Sequence, residues 1–205
     1  MYFEKGHIYH IYNMGNHKDL LFFKDEHYTF FLKKIKTLIR PVSEILAYCL
    51  MPNHFHLMIQ ANDKSVETIT SRFSQKEDFK MQMLTRKLGT LQSSYSQAIN
   101  NRYNWKGSLF RQKTKSKNLS DPQPCNQFHP QYAFICFQYI HQNPVKAGLV
   151  NKLEDWPYSS FREYFYNRRN TLCNIELAKE VLPIDFGDFY KQSYVFVDVD
   201  GIDIF

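Results

Sequence analysis

Two apolar runs, Glu44–Met51 and His54–Gln60, are separated by only Pro52 and Asn53, and that spacing constrains the fold more than any other feature of the chain. A two-residue connection leaves no room for a crossover, so two strand-like runs joined this way pair antiparallel as a hairpin. Ahead of them, His7–Asn13 is rich in β-formers and ends at Gly15-Asn16, which reads as a first strand closing in a turn. Tyr28, Phe31, Leu32, Ile35, Leu38 and Ile39 then recur at helical spacing, with Asp25 as cap and Pro41 as stop. From about Ser65 to Asn101 the pattern is helical with a break near Gly89, and Ser108–Leu119 reads as a basic strand. The stretch Asp121–Cys125 makes a loop before a helix from about Pro130 to Gln142, ended by Asn143-Pro144. The order β-α-β-β-α-β-α predicts an α+β fold: an antiparallel sheet with helices packed on one side, of the ferredoxin-like split β-α-β kind. Residues after about 150 are acidic and aromatic without a clear period and read as a C-terminal extension packed on the domain.

Composition narrows the function classes. The 205 residues, 43% hydrophobic and 22% charged, suit one domain with a sizeable core, and 7 Gly with 8 Pro exclude a collagen-like or low-complexity chain. No stretch approaches the roughly 20 apolar residues of a membrane span, and Met1–His7 carries neither a secretion signal nor a lipidation motif, so a cytoplasmic location without a membrane partner is expected. Cys49, Cys125, Cys136 and Cys173 form no C-x-x-C pair and are expected as reduced thiols. The net charge of +6 is unevenly spread, with 19 basic against 9 acidic residues up to residue 120 and 7 against 11 after it. Arg102, Lys106, Arg111, Lys113, Lys115 and Lys117 fall within sixteen residues that hold no acid and interleave with Tyr103, Trp105 and Phe110. Cations that neutralise phosphates beside rings that stack on unpaired bases suit single-stranded nucleic acid; a solvated basic face is the alternative.

Two constellations carry chemistry. In a strand, residues two apart share a face, so the imidazoles of His54 and His56 point together while Phe55 enters the opposite layer. That pair supplies part of a metal site with positions left for water or substrate, although by spacing alone two His on a half-exposed strand are more often plain surface or satisfied core residues. On the later helix, Tyr139 and Asn143 are four apart and share a face, offering a phenol and an amide oxygen, whereas His141 points elsewhere. A phenol beside a metal-polarised phosphate can attack it and form a phosphotyrosine; a Tyr on an amphipathic helix is also ordinary core.

Taken in order, Met51-Pro-Asn-His-Phe-His-Leu57, Gly107-Ser-Leu-Phe-Arg-Gln112, Tyr139-Ile-His-Gln-Asn-Pro-Val-Lys-Ala-Gly-Leu-Val150 and Trp156-Pro-Tyr-Ser-Ser160 resemble the HUH single-tyrosine transposases, most closely their REP-associated tyrosine transposase branch. The likeness spans roughly residues 5 to 165. It implies an HUH catalytic domain over 1–165 followed by an extension over 166–205. It also implies His54 and His56 as metal ligands, Asn143 as the third, and Tyr139 as nucleophile. Gln142, three residues from Tyr139, is a rival for the third ligand position. Members use Mg²⁺ or Mn²⁺ to cut single-stranded DNA near a hairpin, leaving the 5′ phosphate on the tyrosine and a free 3′-OH for rejoining. The resemblance places the basic run from Arg102 to Lys117 where the family binds its DNA hairpin. One departure is Asn13-Met14-Gly15, where the family often carries Asn-Arg-Gly. A homodimer and a monomer both occur among such transposases. The expected activity is therefore a transposase that cuts and transfers strands; a hairpin-binding regulator without chemistry is the alternative.

Overall fold

The computed structural model describes residues 1–70, 80–120, 130–166, 168 and 171–197; the 121–125 loop lies outside them. Strands β1 (Ile8–Met14), β2 (Glu44–Met51), β3 (His54–Gln60) and β6 (Lys115–Asn118) form an antiparallel sheet in the order β2-β3-β1-β6. Pro52 and Asn53 close the β2–β3 hairpin with Met51 opposite His54 and Cys49 opposite His56. On the other side of β3, Tyr12 lies opposite His56, and β6 is placed by Tyr12 opposite Lys115. Because opposed residues of antiparallel strands share a face, His54, His56, His10, Tyr12, Cys49, Lys115 and Lys117 all project to one side. Phe55, Leu57, Ile59 and Ile11 project to the other.

Helix α1 (Asp25–Lys34) runs on through a π segment at Ile35–Ile39 and a 3₁₀ turn at Arg40–Val42 that absorbs Pro41. Its cap position is Lys24, with Asp25 and Glu26 in the first turn, where their charge complements the helix dipole. Helix α3 (Met83–Tyr103) packs beside α1 on the Phe55 face, where Phe31 and Phe110 contact Phe55 and Phe22 and Tyr95 pack on those rings to complete an aromatic core. Helix α4 (Pro130–Lys146) lies on the opposite face, with Tyr139 against His56. The antiparallel α+β class is therefore the observed one, and the expected one-sided packing holds for α1 and α3 while α4 covers the second face.

Four local expectations are corrected. The described residues between 65 and 82 do not form one helix, 71–79 lying outside them: a single turn α2 (Asp63–Val66), capped by Asn62, is followed by β4 (Thr68–Thr70), paired with β5 (Lys80–Gln82). β-Branched Thr68, Ile69 and Thr70 favour that extended pairing. Helix α3 passes Gly89 without a break, and α4 continues two residues past Pro144, to Lys146. The Asn143 side-chain amide donates to the Tyr139 carbonyl within that last turn at 2.9 Å. Strand β6 is shorter than the basic run; ahead of it Gly15 and Phe110 form an isolated bridge. Gly15 has no substitute there, since a Cβ would stand 2.1 Å from the Asp19 carbonyl oxygen.

The outer edge of β2 is covered rather than exposed. The Trp156-to-Ser160 stretch lies along it: Leu50 N–H donates to the Tyr158 carbonyl and Ser160 N–H to the Tyr48 carbonyl, both at 2.9 Å, and Trp156 Nε1 donates to the Leu50 carbonyl. Beyond α5 (Phe161–Phe165), Glu163 accepts from Tyr48 Oη and the Cys173 amide, and Asn174 N–H donates to the Ile45 carbonyl. Helices α6 (Ile175–Val181) and α7 (Phe189–Ser193) bury Ile175, Ala178 and Phe189 in the common core. Cys49, Cys136 and Cys173 are free, buried thiols. Among the described residues no helix is long and apolar enough to cross a membrane.

Candidate functional site

The site is built where the start of β3 meets α4. Strand period 2 sends both imidazoles to the α4 side, with ring centroids 4.9 Å apart. His54 Nδ1 lies 2.7 Å from Asn53 Oδ1, and the amide of Asn53 is oriented by its Nδ2 donating to the Lys18 carbonyl. Asn53 therefore offers an acceptor, the His54 proton sits on Nδ1, and the lone pair is on Nε2. That Nε2 is buried and has no hydrogen-bond partner. Burial lowers the His54 imidazole to about 4, and His56 is held well below its ordinary value by burial, then by the neighbouring His10 and His54. Both rings are neutral near pH 7, the form a cation requires of a histidine ligand.

Tyr139 faces His56 edge-on, ring centroids 5.5 Å apart, and is only 3% exposed. Burial raises its phenol above the usual value, and the Asn143 amide works in the opposite direction. Asn143, one turn on, donates from Nδ2 to the Tyr139 carbonyl, and its Oδ1 is the atom that could serve a cation. Gln142, the other residue named for that position, is engaged elsewhere. Its Nε2 donates to the Ser193 and Val195 carbonyls, each at 2.9 Å, and its Oε1 accepts from Val197 N–H, so it serves the C-terminal segment. Among the described residues no three His, Cys, Asp or Glu side chains form a metal-holding group, so a cation at His54 and His56 would draw on an amide or backbone oxygen. A buried, unpartnered imidazole nitrogen, a second neutral imidazole and an amide oxygen fit a divalent ion that keeps open positions.

The basic run does not form one patch. Arg102 lies in the last turn of α3 and pairs with Glu26 at 2.9 Å. Lys106 and Arg111 flank a groove of about 940 Å³ on the α3 side, lined by Gln97, Asn101 and the half-exposed Trp105. Lys113 is exposed. In β6 the alternation Lys115-Ser-Lys117-Asn sends both lysines to the His56 face, where Lys117 lies 5.4 Å over the Tyr132 ring. Cationic side chains thus reach both faces of the sheet.

Sequence reasoning missed His10. Its Nε2 lies 2.9 Å from His56 Nδ1, its ring is stacked on Tyr12, and it is fully buried. The available signal was its place on a strand with the same alternation, but only the β1–β3 pairing brings it to His56.

No family model matches the chain. A Haemophilus influenzae protein provisionally assigned as a REP-associated tyrosine transposase is 27% identical over 146 residues, which is 70% of this chain and 66% of that relative, just under two thirds of its length. A solved structure of a REP-associated tyrosine transposase bound to a REP hairpin shares the fold, with a TM-score of 0.55 at 19% identity over 84% of this chain and 87% of the other. The resemblance read from the motifs thus recurs in both comparisons.

Proposed function

We propose that this chain is a REP-associated tyrosine transposase, an HUH enzyme that binds DNA hairpins and cuts and rejoins an adjoining single strand through Tyr139. The observation that carries this reading is the packing of the Tyr139 phenol, from α4, against a neutral two-histidine pair on β3. His54 and His56, through their Nε2 atoms, and Asn143, through Oδ1, would hold Mg²⁺ or Mn²⁺. Such an ion, when bound, polarises a phosphate oxygen and stabilises the charge that develops on it.

The chain's own residues supply the rest. Asn143 sits one helical turn from Tyr139 and ties its amide to the Tyr139 carbonyl, so the ligand and the nucleophile move as one unit. The Tyr139 oxygen forms a bond to phosphorus as the P–O3′ bond breaks; the phenolic proton passes to solvent and the departing 3′ oxygen takes one up. The product is a 5′-phosphotyrosine and a free 3′-OH, and attack by a 3′-OH on that ester rejoins a strand. Lys115 and Lys117 on the same face neutralise backbone phosphates near the reacting strand, while Arg102, Lys106, Arg111 and Lys113 hold the flanking DNA.

One observation favours the alternative, a hairpin-binding regulator without chemistry: at 3% exposure the phenol has no direct access to a phosphate unless α4 and its cover separate. One experiment decides. The purified chain and Tyr139→Phe are incubated with labelled single-stranded oligonucleotides from both flanks of the gene, with Mn²⁺ or chelator. A metal-dependent, denaturant-resistant adduct absent from the variant supports the transposase; hairpin binding by both forms without an adduct supports the regulator.

A further inference from the structure

We infer that His10 is a positioning residue for the metal pair: it accepts the Nδ1 proton of His56 and so places the lone pair of His56 on Nε2, the atom that would take up a cation. The inference rests on the metal reading of His54 and His56 given above and adds to it a third histidine with a defined role.

The geometry is specific. His10 stands opposite Met58 in the β1–β3 register, one same-face step from the Tyr12–His56 pair, so its ring meets His56 diagonally across the two strands. The rings are stacked, centroids 5.0 Å apart and planes at 23°, with His10 Nε2 at 2.9 Å from His56 Nδ1. His10 is 0% and His56 1% exposed, so water cannot replace this bond. A single proton lies between the two nitrogens, and there are two ways to place it. With the proton on His10 Nε2, neutral His56 carries its own proton on Nε2 and has no lone pair there. With the proton on His56 Nδ1, the Nε2 lone pair is available and the acceptor bond raises the basicity of the ring. Only the second arrangement serves a cation.

His54 is set the same way. Asn53 Oδ1 accepts at His54 Nδ1, leaving Nε2 buried and unpartnered. Each member of the pair is thus held through Nδ1, one by the hairpin turn and the other by the neighbouring strand. A histidine as acceptor suits a fully buried position, because an imidazole can accept in its uncharged form, whereas a carboxylate would bring a charge beneath the site.

The test uses the full chain, with Mn²⁺ as the probe, titrated calorimetrically into wild type, His10→Phe and His10→Gln. Phe keeps the ring volume and removes the acceptor; Gln returns an oxygen near the Nε2 position. The expected result is about a 10- to 100-fold weaker Mn²⁺ affinity in His10→Phe, most of it recovered in His10→Gln, with both variants showing the wild-type circular dichroism. Unchanged affinity in His10→Phe overturns the inference, as does a folded His10→Gln no better than His10→Phe. A second measurement needs neither a folded His10 variant nor metal: in ¹⁵N-histidine-labelled wild type, His56, assigned by the signals lost in a folded His56→Ala chain, should show the Nδ1–H tautomer, and Nε2–H would overturn the inference. If wild type takes up no Mn²⁺, the metal reading fails, and the tautomer then decides the His10 bond by itself.

Discussion

Tyr139 stands edge-on to His56 with ring planes at 80°, and this contact joins two elements far apart in sequence, the strand of the histidine pair and the helix of the phenol. The consequence is that the pair should be separable by substitution. His54→Ala and His56→Ala are expected to abolish Mn²⁺-dependent adduct formation and calorimetric Mn²⁺ uptake while leaving hairpin binding within a few-fold of wild type. Retained Mn²⁺ uptake in both variants would place the ion elsewhere.

The split of the basic run gives a prediction about salt. Lys115→Gln and Lys117→Gln lie on the His56 face, and each should lower the slope of log affinity against log salt by about one if it contacts a phosphate. Gel-shift titrations over a salt series measure that slope. A slope unchanged in both variants would remove the β6 lysines from the DNA path.

The C-terminal segment is tied to α4 by side chains one turn apart. Gln138 Nε2 donates to the Gln192 carbonyl, Gln142 bonds Ser193, Val195 and Val197, and Lys146 Nζ donates to the Val197 carbonyl. Gln142 is fully buried, so Gln142→Ala strands several backbone groups and should cost about 1–3 kcal/mol in urea unfolding. Hydrogen exchange at 193–197 should rise in the same variant; unaltered protection there would show that the segment is held by other contacts.

Acid should destabilise the fold in part through His141. Burial lowers this imidazole to about 3, and its Nε2 is bonded to Ser160 Oγ at 2.7 Å. The unfolded chain takes up the proton near pH 6.5 and the folded chain only near 3, so the contribution is complete above about 6.5 and is lost as pH falls towards 3. The rate of loss for one such group is about 1.4 kcal/mol per pH unit. His141→Gln should flatten the acid limb of a stability–pH curve by up to that amount. An identical limb would assign acid sensitivity to other groups.

The sequence by itself determined what depends on near neighbours. A two-residue turn forces the β2–β3 hairpin, period 2 puts His54 and His56 on one face, and helical spacing puts Tyr139 and Asn143 on one face. Local periodicity misled where pairing outweighed propensity: residues 68–70 and 80–82 form strands because each completes the other's ladder, and α4 outruns Pro144 because its last turn is held from outside and by Asn143. Only tertiary structure decided the strand order that sets His10 against His56, the placement of α4 on the histidine face, the division of the basic run, and the commitment of Gln142 to the C-terminal segment. Each of these is a contact between residues tens of positions apart, with no trace in spacing along the chain. They are fixed when buried polar groups must find partners and apolar faces must be covered at once, a condition that the whole chain satisfies and no segment does alone.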